Sequence, residues 1–252
     1  MLQLRREDRG EFLADLREIL ESQAKERRGA PIAAFELVRA LKPPWNVFTT
    51  TYDCELERFL DSAGLPYVIV CHVLESTSGD AGKVMVVRSR HHPRAGDPAH
   101  AVVLRETTEL TLELDPDDCV VYKLLGSPFL HDSELARSRG LDTVVITESD
   151  HITFLSRMAD QKTTIPNHFA VPLTTSRLLF LGYNLDIWHY RLIGRVFRRV
   201  QGPSQLPRAR KKPFVVREPI SPLEEQFWRH FQVEMVNLEL STLVRALRRP
   251  PS

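Results

Sequence analysis

Three short segments carry the side chains that could do chemistry. The first is Thr49-Thr50-Thr51-Tyr52-Asp53, a run of hydroxyls and a carboxylate set just before an amphipathic stretch. A helix starting there would present free N–H groups and a partial positive charge, which suit a phosphate or a ribose. The second is Lys123-Leu124-Leu125-Gly126-Ser127-Pro128, where Gly126 permits close backbone approach and Ser127 offers a hydroxyl. The third is Leu179-Phe180-Leu181-Gly182-Tyr183-Asn184-Leu185-Asp186, where Gly182 does the same and Asn184 can both donate and accept. Each has a plainer reading when taken alone. Asp53 and Asp186 are good helix caps, and Gly126 suits a tight strand exit.

Chemistry of other kinds finds little support. Cys54, Cys71 and Cys119 are too few and too scattered for a disulfide framework, and no Cys-x-x-Cys pair exists for zinc. His91 and His92 sit in a Pro/Gly loop, and no His/Cys/Asp set has metal-ligand spacing. The basic cluster Arg195, Arg198, Arg199, Arg208, Arg210, Lys211 and Lys212 reads as a solvated helix face and loop, or else as an interaction patch.

The elements that must position these segments alternate. Glu11–Lys25 has Phe12, Leu13, Leu16, Ile19 and Leu20 on one stripe and reads as a helix. A second helix runs from Ile32 to Leu41, before Pro43-Pro44. Trp45–Thr49 reads as a strand, and Cys54–Ser62 as a helix capped by Asp53 and closed by Gly64. Tyr67–Cys71 and Val120–Leu124 are apolar runs of the kind that parallel strands show when buried on both faces. Residues 75–100 read as a surface excursion broken by the strand Val84–Val87, with further short strands at Ala101–Leu104 and Leu110–Leu114. Thr143–Ile146 reads as a strand, and Thr147-x-x-Asp150 as a capping box opening a helix to Met158. Beyond it come a helix from Pro166 to about Thr175, a strand Arg177–Leu181, a helix from Asp186 to Val200, and a loop over 201–213. A strand Phe214–Val216, a helix opened by Ser221-Pro222-Leu223-Glu224, a strand Val233–Val236 and a helix Leu240–Leu247 complete the chain.

This alternation predicts an α/β fold with a mainly parallel sheet and helices on both faces. Ligands in such sheets sit outside the carboxyl ends of the strands, which is where the three segments fall. Length and composition agree: 252 residues, 42% hydrophobic and 27% charged, are an ordinary globular mix. A net charge of +1 argues against a dedicated nucleic-acid binder. No run of 18 apolar residues predicts a membrane span, and the charged N-terminus lacks a signal-peptide core, so a cytoplasmic protein is expected.

Taken together, in this order, the segments resemble the sirtuin-like domain family of bacterial NAD-consuming proteins, many from antiphage defence. The family's Thr-Thr-Asn-Tyr-Asp followed by Leu-Glu is similar to Thr49-Thr50-Thr51-Tyr52-Asp53 with Leu56-Glu57. Its Lys-Leu-His-Gly-Ser is matched by Lys123-Leu124-Leu125-Gly126-Ser127, and its Leu-Thr-Glu-x-Asp-Tyr by Ile146-Thr147-Glu148-Ser149-Asp150-His151. Its Phe-Leu-Gly-Tyr-Ser-Leu is similar to Phe180-Leu181-Gly182-Tyr183-Asn184-Leu185. The resemblance runs from Trp45 to the C-terminus. It implies a 45–252 sirtuin-like, Rossmann-like domain behind an N-terminal helical segment, 1–44.

The departures bear on activity. The family's Asn, which orients the nicotinamide ribose and water, is Thr51 here, and its His, which acts on the ribose hydroxyls, is Leu125. The Asp that usually follows the last motif is replaced by Ile187, beside Asp186. No Gly-x-Gly occurs in the 252 residues, so the first Gly-rich βα unit of the family is missing from them. A lost acid/base group alone costs a factor of about 10²–10⁴. The resemblance therefore implies a non-catalytic nucleotide-binding or assembly module, with no catalytic residues and weak binding of NAD or ADP-ribose through Thr50, Thr51, Asp53, Gly126, Ser127, Gly182, Tyr183 and Asn184. A protein partner or a homo-oligomer would accompany it. The alternatives are an active NAD glycohydrolase of a defence system, and a structural subunit that keeps only the fold.

Overall fold

A computed structural model describes residues 6–26, 32–94, 102–130, 133–159, 166, 168–169, 176, 178–182, 187–188, 190–194 and 213–247. The chain divides into two compact units. The first comprises Met1–Ala30 and Lys42–Thr164, the second Pro31–Leu41 and Ile165–Ser252. The segment 1–44 is thus shared between them, its first helix α1 (Arg6–Glu26) in one unit and α2 (Ala33–Ala40) in the other.

The first unit is built on a five-stranded sheet. Its strands are β1 (Asn46–Thr49), β2 (Val68–His72), β3 (Val84–Arg88), β4 (Val102–Arg105) and β5 (Val120–Lys123), in the spatial order β1-β5-β2-β3-β4. β5 pairs in parallel with both β1 and β2, while β3 pairs antiparallel with β2 and β4. The β-branched, apolar sequences of β2 and β5 explain their central place. Val68, Val70, Cys71, Val120, Val121 and Tyr122 have no accessible surface, so both faces of these strands are covered.

Helix α3 (Glu55–Ser62) joins β1 to β2 and buries Leu56, Glu57 and Leu60. It ends where Gly64 takes a φ of +67°, letting Leu65 N–H reach back to the Leu60 carbonyl at 3.0 Å. Helices α4 (Leu110–Glu113), α5 (Glu134–Arg139) and α6 (Glu148–Ala159) complete the unit, with a short 3₁₀ turn at Pro128–Leu130.

The second unit holds a three-stranded parallel sheet, β6 (Leu179–Leu181), β7 (Phe214–Val216) and β8 (Glu234–Val236), with β7 in the middle. Helix α7 (Pro222–His230) starts with a reciprocal capping box. Ser221 accepts from Glu224 N–H at 3.2 Å, and Glu224 accepts from Ser221 N–H at 3.0 Å. Trp228 of α7 packs with Val215 and Val233, ringed by Phe180, Phe227, Phe231 and Met235. Helix α8 (Leu240–Leu247) packs on α2.

The architecture is the expected mainly parallel, Rossmann-like α/β, with three local differences. Val84–Val87 is not a surface excursion: with 0–2% exposure it is a core strand, because β4 covers its far edge. Leu110–Leu114 is not a strand but the short helix α4, in which Leu110 and Leu114, one helical turn apart, are both buried. Thr143–Ile146 joins no sheet, although Thr143, Val144 and Val145 are buried, because its polar backbone groups bond to loops and side chains instead. The expected loop over 201–213 lies outside the described residues but for Pro213, as do most residues of the expected helices 166–175 and 186–200. No helix among the described residues is long and apolar enough to cross a membrane.

Two glycines with similar backbone separate conformational from steric need. Gly126 has a φ of +75°, and a Cβ there would run into the Thr143 carbonyl. Gly64 has a φ of +67° with open space around it. Gly64→Ala should therefore cost about 1–2 kcal/mol of left-handed strain, and Gly126→Ala distinctly more, at least about 3 kcal/mol. Urea unfolding of both variants measures the difference.

Candidate functional site

The carboxyl ends of β1 and β5 lie side by side, with Thr49 opposite Lys123. Leu124 N–H donates to the Thr49 carbonyl at 2.9 Å, so the chain leaving β5 is still tied to β1 where the site segments begin. Past β1, Thr51 N–H and the Thr51 hydroxyl both meet Thr49 Oγ1, at 3.1 and 3.0 Å, which folds the turn back on itself. Thr50 is half-buried and Thr51 exposed. Asp53 Oδ1 accepts Glu55 N–H at 3.0 Å and so supports the first turn of α3, whose N-cap position is Cys54.

Beneath this turn lies a buried ion pair. Lys123 Nζ sits 2.9 Å from Glu57 Oε1, and the two side chains are 1% and 7% exposed. The same ammonium donates to the Asp53 carbonyl. Burial alone would lower the Lys123 pKa, but the Glu57 carboxylate outweighs it and holds the ammonium above its ordinary value. Cys54 adjoins the pair. Burial pushes its thiol up to about 11, against the pull of Lys123, so it stays protonated and unreactive near neutrality.

After β5 the chain turns sharply at Gly126 and packs on the segment 142–147. Ser127 N–H donates to Thr143 Oγ1 at 3.3 Å, and that hydroxyl lies 3.4 Å from the Ser127 carbonyl. Val145 N–H donates to the Leu125 carbonyl at 3.0 Å, and Tyr52 Oη donates to the Val145 carbonyl. Leu125 is 2% exposed and Ser127 1%. The Thr147 capping box forms as expected. Asp150 N–H donates to Thr147 Oγ1 at 3.1 Å, while Asp150 Oδ2 accepts Thr147 N–H at 2.9 Å and Ile146 N–H at 3.0 Å.

The structure therefore brings Thr49, Thr50, Thr51, Asp53, Gly126 and Ser127 to one edge of the five-stranded sheet. Gly182 is exposed at the end of β6 in the second unit, with a φ of +59° and open space around it. Tyr183 and Asn184 lie outside the described residues.

Two contributors carry no motif. One is Arg9 of α1, whose Nη1 bonds Asp150 at 2.9 Å and whose guanidinium also bonds Asp142 and the Val144 carbonyl. The signal in the sequence is its place at i−4 from Leu13, a charge on the apolar stripe. The other is His72, whose Nε2 is buried with no hydrogen-bond partner among the described residues. Its ring packs edge-on against Tyr122 and Phe154, beside a small cavity also lined by Leu124, Thr143 and Arg157. No metal-binding group of three or more His, Cys, Asp or Glu occurs among the described residues.

Two measurements follow from this geometry. Lys123→Met leaves Glu57 as a buried unpaired carboxylate and should cost about 3–5 kcal/mol. Glu57→Leu combined with Lys123→Met should recover most of that loss, because buried pairs are often replaceable by apolar groups. Urea unfolding of the single and double variants gives the coupling. For His72, burial and then Arg157 lower the pKa from the ordinary 6.5 to about 4. The unfolded chain binds the extra proton first, so stability is full above pH 6.5 and declines as the pH falls toward 4. His72→Phe should remove that share of the pH dependence, read as the difference between the two stability profiles over this window.

The segments at this edge lie within the stretch that a comparison with known families matches. A search of curated proteins gives no match. The family model of the SIR2-like domain matches residues 46–236, from the start of β1 to the end of β8, and spans most of the chain. The protein belongs to the SIR2-like domain family, whose functions are NAD-related.

Proposed function

We propose that this chain is a SIR2-like domain without NAD-cleaving activity, which serves as a nucleotide-binding or assembly module in a cytoplasmic multiprotein system. Leu125 carries the reading. It occupies the position of the family's proton-transferring histidine, and it is an apolar side chain with 2% exposure. It can neither take nor give a proton. Cys54 is held as a thiol, and His72 is buried with a depressed pKa. Thr51, at the position of the family's asparagine, has its hydroxyl turned to Thr49.

The residues present fit a nucleotide only in part. Thr51 and the Asp53 carboxylate stand at the strand ends where a ribose would come. Ser127, by contrast, is buried under Thr143. No Gly-x-Gly loop is present in the sequence to offer backbone N–H groups to a pyrophosphate. Losing two or three charge-assisted hydrogen bonds, at roughly 1.5–3 kcal/mol each, weakens binding by several orders of magnitude.

The test is nicotinamide release from NAD at micromolar protein, together with calorimetric titration of NAD and ADP-ribose. The expected results are no release above the buffer blank, and dissociation constants in the high-micromolar range or weaker. Steady release that Asp53→Ala abolishes would establish an active NAD glycohydrolase instead. A sub-micromolar constant without release would keep the binding role and refute its weakness.

A further inference from the structure

Helix α1 is long but thinly attached. It has 21 residues, and between residues 8 and 26 only Arg9 and Leu13 are fully buried, with Leu16, Arg17, Leu20 and Ala24 half-buried. Phe12 and Ile19 lie on the same stripe and remain exposed, at 37% and 54%. The two fully buried side chains are one turn apart. In proteins most helical stability comes from tertiary packing, and elements with few buried apolar contacts are the ones that open locally.

What α1 holds is specific. The Arg9 guanidinium bonds Asp142, Asp150 and the Val144 carbonyl, all in the segment 142–150. The same segment walls the candidate site. Thr143 bonds Ser127, Val145 N–H bonds the Leu125 carbonyl, and the Val145 carbonyl receives Tyr52. α1 also packs against the Pro128–Leu130 turn that follows Ser127. Arg9 is the shared counter-charge of two carboxylates. Without it, Asp142 and Asp150 repel each other and the segment loses its clamp.

We infer that α1 is a releasable latch, which orders the candidate site when docked and loosens its 142–150 wall when it lifts off. α1 lies outside the 46–236 stretch that matches the family, so the latch is an addition to the domain. The inference stands on the contacts of the site, whatever the site binds.

Native-state hydrogen exchange of the full chain in low urea tests it. The α1 amides should exchange through an opening at least about a hundredfold more populated than the opening of β2 and β3. The Val144, Val145 and His151 amides should share the α1 opening. Arg9→Met should raise exchange in α1 and in 142–151 together, by tenfold or more, and leave β2 and β3 unchanged. Glu18→Ser, on the exposed face opposite the apolar stripe, should change neither. α1 exchanging only with global unfolding would overturn the inference, and so would a fast α1 with 142–151 as slow as the sheet. Should Arg9→Met fail to fold, the wild-type pattern alone decides.

Discussion

A lysine ammonium with almost no contact with water imposes the strictest demand on this structure. Lys123 ends the central strand β5, and its charge has to be met inside the protein. Glu57 meets it from α3, and the Asp53 carbonyl meets it from the turn before that helix. One side chain thereby fixes three things: the end of β5, the seat of α3 on the sheet, and the path of the Thr50–Asp53 turn. The candidate site is the surface of this arrangement. Its exposed hydroxyls and carboxylate have defined positions because a buried charge pair below them tolerates few alternatives.

The elements around that pair were largely legible in the sequence. β2 and β5 announce themselves as apolar runs, and the capping boxes at Thr147 and Ser221 mark their helices. The failures came where local pattern and tertiary role part. Val144 and Val145 are buried and β-branched, yet they sit in an irregular segment whose N–H groups are taken by Asp142 and Leu125. Val84–Val87 lies among Ser, Gly and Asp residues, and nothing local tells that two strands sandwich it. Leu110–Leu114 is too short for its periodicity to separate helix from strand.

The site was legible as motifs but not as contacts. Glu57 and Lys123 each belong to a recognisable segment, but their pairing across 66 residues is a property of the parallel register of β1, β5 and β2. Arg9 belongs to no motif at all. Its role depends on α1 lying against 142–150, which composition cannot reveal. Charges on an otherwise apolar helical stripe are the one cue, and Arg9 next to Leu13 is such a charge.

The family's motif residues here fall into two physical classes. Lys123, Glu57, Gly126, Tyr52, Thr147 and Asp150 are the ones whose side chains or backbone hold the fold: a buried pair, a left-handed turn under Thr143, a bond to Val145 and a helix cap. On the proposed reading Thr51 and Leu125 stand where the family has groups that act on NAD; the Thr51 hydroxyl meets Thr49 within its own turn, and Leu125 is apolar and buried. Substituting the first class disrupts packing and charge balance, from about 1 kcal/mol for the lost cap to several for the buried pair. At the second class the side chains present suit the fold without the family's polar groups, and Leu125 adds buried apolar surface. A chain released from the need to cleave NAD but still required to fold would change in the second class and keep the first. That division is what the proposed binding or assembly role requires, and it sets Thr51 and Leu125 apart from the residues that hold the fold.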